Sequence, residues 1–134
     1  MNVQDNIKRI ELSKKNLINA IRDCNTASKP QLTNIHLVKE IYEIYKNTVG
    51  GNIMNHHRKE FIFVVIYLYD PMRLFGGKIK SGLREKIGEV LGVKSKNVIS
   101  NFCSELLVLY RHYSDFREHV DLVLEMVTER LVRK

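Results

Sequence analysis

The stretch that decides the fold is Leu83 to Phe102, LREKIGEVLGVKSKNVISNF, whose apolar residues recur at helical spacing on both sides of a glycine. Ile87 and Leu91 stand one turn apart, which predicts a short helix with an inward face. Gly92 ends that helix, because a residue without a Cβ enters the left-handed backbone region at no steric cost. Val98 and Phe102 then form a second apolar pair. The pattern predicts two short helices that cross around one small core.

Three further residues of the stretch fit the same arrangement. Gly88 leaves room where two helices would touch, and Val93 is apolar where the chain turns inward again. Ser95 can cap the second helix by accepting a hydrogen bond from an exposed backbone N–H. An ordinary helical hairpin with a glycine turn is the alternative interpretation.

The combination Ile87, Gly88, Leu91, Gly92, Val93 and Val98 resembles the helix-turn-helix superfamily of bacterial and phage DNA-binding proteins, over about residues 83–102. The resemblance implies DNA binding by an all-α domain, and we expect no wing because no hairpin follows the motif closely. The chain departs from the usual pattern at two positions. Ile99 is apolar where a polar residue is common, and Asn101 is polar where a core residue is common. The second helix can therefore be rotated about its axis by about one residue relative to the usual pattern.

The resemblance also implies that the second helix enters the major groove with its N-terminal residues toward the base edges. Asn97 and Asn101 each offer the paired contact that an amide makes with adenine, and Lys96 suits guanine or a phosphate. Simple solvent exposure is the alternative for both asparagines. The candidate DNA-binding residues are Lys78, Lys80, Arg84, Lys86, Lys94, Ser95, Lys96, Asn97, Ser100, Asn101 and Ser104.

The positive charge is concentrated around this stretch. The chain carries a net charge of +7 and has a pI near 9.5. Residues 73–96 contain seven basic and two acidic side chains, whereas residues 97–134 contain five basic and six acidic ones. A local basic field of this kind favours contact with a phosphate backbone, and Lys78, Lys80, Arg84 and Lys86 are better placed to position DNA than to read its sequence.

The rest of the chain reads as further helices. Residues 3–23 predict an N-terminal amphipathic helix within a segment 1–25, which packs on the core or pairs with a second copy as a dimerisation arm. After a linker at 25–30, the core spans 31–134 and begins with a helix over 32–47. The run FIFVVIYLY, 61–69, is ambiguous between a strand and a buried helix, and we interpret it as the central helix because no partner strand is visible.

The second motif helix is expected to continue from Ser95 to about Tyr113, which places the helix-turn-helix at about 83–109. Leu107 and Val108 fall on its otherwise polar side, so its end should be covered by the last helix or by another subunit. The last helix is predicted over residues 115–132, with Ser114 as its cap. A basic loop over residues 71–81 precedes the motif.

Several functional classes are disfavoured. The longest apolar run has nine residues, less than half of what a bilayer crossing needs, and the N-terminus lacks the apolar stretch of a signal peptide, so we expect a cytoplasmic protein without a membrane partner. Cys24 and Cys103 suit small buried hydrophobes. His56 and Glu60 stand one helical turn apart but lack a third metal ligand, so no metal or cofactor is expected. No nucleophile, base and orienting group form a pattern, which argues against an enzyme or a small-molecule substrate.

These observations predict an all-α, single-domain bundle of five or six helices that contains a helix-turn-helix. The expected function is sequence-selective binding of double-stranded DNA by a homodimer, as a small transcription regulator or a phage or mobile-element accessory protein. The alternative is a protein-protein interaction module with the same helical pair, for which Leu107 and Val108 offer apolar area. A small nuclease would need clustered carboxylates, which we cannot assemble.

Overall fold

The architecture is built around one helix whose C-terminal nine residues, Phe61–Tyr69, are apolar on every side. The computed structural model describes residues 2–15, 29–50, 55–93 and 96–132. The α-helices within these ranges are α1 (Val3–Lys15), α2 (Val38–Val49), α3 (Asn55–Tyr69), α4 (Ser81–Leu91), α5 (Lys96–Cys103), α6 (Leu106–His112) and α7 (Ser114–Val127). No strand occurs in this part of the chain, and the all-α prediction is confirmed.

The central helix is α3, which settles the ambiguity of the run Phe61–Tyr69 in favour of a helix. Every residue of that run is at least 95% buried. The reason is that α2, α5, α6 and α7 all pack against α3, so an apolar side chain finds a neighbour in every direction. The core that results is shared by the described helices.

The segment before α2 differs from the predicted helix over 32–47. The N–H groups of Gln31 and Leu32 both donate to the carbonyl of Leu68, at 2.9 and 3.0 Å, which fixes this segment on the end of α3. A 3₁₀ turn, Ile35–Leu37, follows, and the side chain of Asn34 accepts from the His36 N–H at 3.0 Å. The helix proper therefore begins only at Val38.

The described part of α1 packs into the domain. Val3, Ile7 and Ile10 are buried, and the Asn6 amide donates to the hydroxyl of Tyr67 on α3 at 3.1 Å. This part of the predicted apolar stripe is thus used inside the protein. The remainder of the predicted helix, residues 16–23, and most of the linker lie outside the described residues.

The C-terminal helix agrees with the prediction for residues 115–132 except at its ends. Phe116, Val120 and Val123 are among its buried residues, and Tyr113, not Ser114, stands at the cap position. After Val127 the chain continues as a π-helix, Thr128–Val132. Among the described helices, none is long and apolar enough to cross a membrane.

Candidate nucleic-acid interface

The turn between α4 and α5 is organised by Gly92. Its φ and ψ are 71° and 26°, which is the left-handed region that the sequence predicts. Its N–H donates to the Glu89 carbonyl at 3.2 Å, and the Val93 N–H donates to the Gly88 carbonyl at 2.9 Å. These two bonds satisfy carbonyls that a helix C-terminus otherwise leaves unpaired. The prediction for Gly92 is confirmed.

Gly88 is buried next to the turn. A Cβ at this position would lie 3.3 Å from the carbonyl oxygen of Val93, which is a tight contact. The space that Gly88 leaves therefore serves the turn itself. The expectation that Gly88 lets two helices approach each other stays a prediction, because several side chains of α5 lie outside the described part of the structure.

The helix α5 packs against both α4 and α3 through one face. Ile99 is almost fully buried, whereas Val98 and Phe102 are only half-buried. Asn101 is exposed on the opposite side. The two departures from the family pattern, at positions 99 and 101, thus match the burial: the face that enters the core is centred on Ile99.

The helix predicted from Ser95 to about Tyr113 is not continuous. In an unbroken helix the N–H of Glu105 would bond to the carbonyl of Asn101. Here it donates to the Phe102 carbonyl at 3.3 Å, and the Asn101 carbonyl accepts the hydroxyl of Ser104 at 2.8 Å instead. The chain therefore breaks between α5 and α6. Ser104 lies in this break and uses its hydroxyl on its own backbone.

The exposed lysines of the candidate set lie on the loop before α4. Lys78 and Lys80 are both exposed. The loop is fastened by Arg73, whose carbonyl accepts from the Gly76 N–H at 3.3 Å and whose guanidinium lies 3.5 Å from the carboxylate of Asp70. Arg73 thus stabilises the loop and forms an ion pair with Asp70, while the two lysines face solvent.

The two basic residues on α4 differ in their surroundings. Arg84 is half-buried, and its Nε finds no hydrogen-bond partner among the described atoms. The ammonium of Lys86 lies 3.5 Å from the carboxylate of Glu89, and its side chain is largely covered. Lys86 is thus paired with Glu89, whereas the Nε of Arg84 is enclosed within the protein.

Five of the predicted site residues have no described side chain. Lys94 and Ser95 lie outside the described residues altogether. The backbones of Lys96, Asn97 and Ser100 belong to α5, but their side chains lie outside the part of the structure that is described. The expected cap by Ser95 therefore lies outside the described residues, and Asn101 is the base-reading candidate whose exposure the structure gives.

Sequence reasoning missed a buried polar junction at the start of α3. Glu60 is 2% exposed, accepts the Tyr45 hydroxyl at 2.6 Å, and has its Oε2 3.0 Å from Nδ1 of His119. Glu60 thus joins α2, α3 and α7. The only signal in the sequence is a carboxylate directly before nine apolar residues. No group of three potential metal ligands occurs among the described residues.

A cleft of about 730 Å³ lies away from α4 and α5. The side chains of Arg9 and Lys29 line it together with Asp121, Glu125 and Glu129, so cationic and anionic groups are mixed. Its described lining contains no residue of the candidate interface. The cleft and the interface are separate features of the surface.

We compared the chain with protein-family models, with curated proteins and with solved structures. None of the three comparisons gave a match.

Proposed function

We propose that the chain binds double-stranded DNA, with α4 and α5 acting as a helix-turn-helix. The observation that carries the proposal is the left-handed turn at Gly92, across which α4 packs on a short α5 whose outer face bears Asn101. Two helices joined in this way, with the second one exposed, are the arrangement that presents side chains to a major groove.

The charges next to this pair support DNA as the ligand. Lys78 and Lys80 are exposed on the loop before α4, and Arg84 follows them on the helix itself. In the proposed complex these groups contact the phosphate backbone, and such contacts orient a protein on DNA without reading sequence. Asn101 would then contact an adenine, since an amide can donate and accept at one base edge.

The salt dependence of binding follows from the number of available cations. Arg73 and Lys86 are paired with carboxylates, which leaves at most five of the seven basic residues of the 73–96 segment for phosphates. At about −0.9 per contact, the slope of log K against log salt should be roughly −3 to −4.5. We propose a homodimer on DNA, acting as a small regulator or an accessory protein of a phage or mobile element.

The decisive experiment is selection from a randomised duplex library, followed by sequencing of the retained fraction. We expect one sequence family to be enriched. Replacing Lys78 and Lys80 by Ala should weaken binding to all duplexes about equally and flatten the slope of log K against log salt by up to about 2. Asn101→Ala should instead reduce the preference for the enriched sequence. The double variant Lys8→Ala/Lys29→Ala removes the same charge from exposed positions elsewhere and serves as the control.

The second candidate function is a protein-docking module. It is favoured by Val108 on α6, whose side chain is 55% exposed, and by the neighbouring half-buried Leu107. If the protein is not retained on DNA at low salt, the DNA proposal fails and the docking function replaces it.

A further inference from the structure

Lys59, in the first turns of α3, reaches across to the break between α5 and α6. Its ammonium lies 2.5 Å from the carboxylate of Glu105 and 5.4 Å from the ring centroid of Phe102. Phe102 belongs to α5, and Glu105 lies in the break, directly before α6. One side chain therefore contacts both the end of α5 and the break that follows it.

The base of Lys59 is itself fixed. The next residue, Glu60, is buried and is joined to Tyr45 on α2 and to His119 on α7. These contacts tie the first turns of α3 to two other helices. The ammonium of Lys59 extends from there to α5, a helix of only eight residues. Helices of that length depend on tertiary contacts for their stability.

We propose that Lys59 is a positioning residue for DNA recognition: it fixes the direction of α5, and with it Asn101, without touching DNA. This inference rests on the proposed function. The ammonium is engaged by Glu105 and Phe102, and three quarters of the Lys59 side chain is covered. Its charge therefore acts on the recognition helix and is not offered to a phosphate.

The test compares Lys59→Met, which keeps an unbranched apolar chain, with wild type on two duplexes: the most enriched library sequence and a scrambled version of it. We expect Lys59→Met to bind the enriched duplex about threefold to tenfold more weakly, which corresponds to the loss of one partly exposed ion pair and ring contact. Binding to the scrambled duplex and the salt slope should stay as in wild type. If Lys59 contacted a phosphate, binding to both duplexes would weaken equally and the slope of log K against log salt would flatten by about 0.9. That result would overturn the inference.

Two further variants check the route of the effect. Glu105→Gln should also reduce selectivity, and the double variant should lose no more than Lys59→Met alone. Lys59→Arg should restore selectivity, since a guanidinium can also pair with a carboxylate and lie on a ring. A purely additive double variant, or a Lys59→Arg protein as poor as Lys59→Met, would contradict the inference.

The matched control is Lys46→Met. Lys46, on α2, makes the same two kinds of contact: an ion pair with Glu43 at 3.0 Å and a contact with the ring of Tyr42, at 4.9 Å from its centroid. Loss of this ion pair and ring contact should leave DNA selectivity unchanged, because neither contact involves α5. An equal loss in Lys46→Met would show that selectivity reports general stability.

Hydrogen exchange separates this inference from the proposed function. In Lys59→Met the amides of residues 99–103 should exchange faster than in wild type, while the amides of α7 should not. In Lys46→Met the amides of residues 99–103 should exchange as in wild type. If wild type selects no DNA, the proposed function fails, and the exchange of α5 still shows whether Lys59 holds it. Unchanged exchange in α5 would refute the role of Lys59 whatever the DNA result.

Discussion

The substitution Gly92→Ala tests the turn on which the proposed site depends. Gly92 has a φ of 71°, and a Cβ built on it would have no neighbour within 4 Å among the described residues. The expected cost therefore arises from the left-handed backbone. That cost is about 1–2 kcal/mol for a residue with a Cβ.

The matched control is Gly82→Ala in the same helix. Gly82 lies in the first turn of α4, and its Cβ would stand 3.9 Å from the Cδ1 of Ile35, an ordinary contact. The same chemical change should here stabilise the protein by about 0.4–1 kcal/mol, because alanine has less conformational freedom than glycine in the unfolded chain. The two variants are thus expected to change stability in opposite directions.

The assay is urea denaturation followed by far-UV circular dichroism, with thermal melting as a second measure. Gly92→Ala should lower the midpoint at an unchanged m-value and lower Tm by about 3–8 °C, while Gly82→Ala should raise both. A Gly92→Ala protein as stable as wild type, beside a stabilised Gly82→Ala, would show that the backbone at Gly92 is not left-handed in solution. The two helices α4 and α5 would then not be joined by the turn described here.

Three other changes have definite expected outcomes. Glu60→Ala should lower the free energy of unfolding by about 2–3 kcal/mol in urea titrations, because the buried Tyr45 hydroxyl loses its acceptor; Glu60→Gln keeps an acceptor and should lose less. Burial raises the pKa of the Cys103 thiol from 9.0 to about 12. Alkylation of Cys103 at pH 8 should therefore be about a thousandfold slower in the folded than in the unfolded protein, because the thiolate is the reactive form. Peptide mass spectrometry measures the rate. Burial also raises the pKa of Asp121, so the folded state binds that proton more readily and wild type loses stability as pH rises through the interval between the unfolded and folded pKa values. Asp121→Asn, which keeps an acceptor for the Tyr110 hydroxyl, should therefore equal or exceed wild type in stability at pH 7, and this advantage should shrink on acidification.

The local features of the candidate site could be predicted from the sequence. The left-handed turn at Gly92 depends on a single residue type, and the exposure of Lys78, Lys80 and Asn101 follows from their positions beside an apolar pattern. Such features depend on neighbours within one or two helical turns. A sequence pattern therefore contains the information that fixes them.

The break between α5 and α6 could not be predicted in the same way. Ser104 and Glu105 are both compatible with a helix, and the periodicity of the apolar residues continues through them. What distinguishes this point is the contact of Glu105 with Lys59 on another helix, together with the hydroxyl of Ser104 on the Asn101 carbonyl. The first of these contacts is long-range, and helical periodicity carries no information about it.

The partners of Glu60 illustrate the same limit. Its spacing from His56 suggests a pair on one helix face, and the structure instead pairs it with Tyr45 and His119 from two other helices. A carboxylate can be buried when its oxygens are satisfied in this way. Which donors reach it is decided by how three helices pack, and that is a property of the whole fold.

The short length of α5 bears directly on how the proposed DNA binding would achieve specificity. Eight residues at about 1.5 Å per residue span about 12 Å, which corresponds to roughly three or four base pairs. The break after Cys103 ends α5, so the proposed reading surface is limited to these eight residues. One copy would therefore read too few bases to select a site, and the proposed homodimer would supply the second half-site that a single α5 lacks.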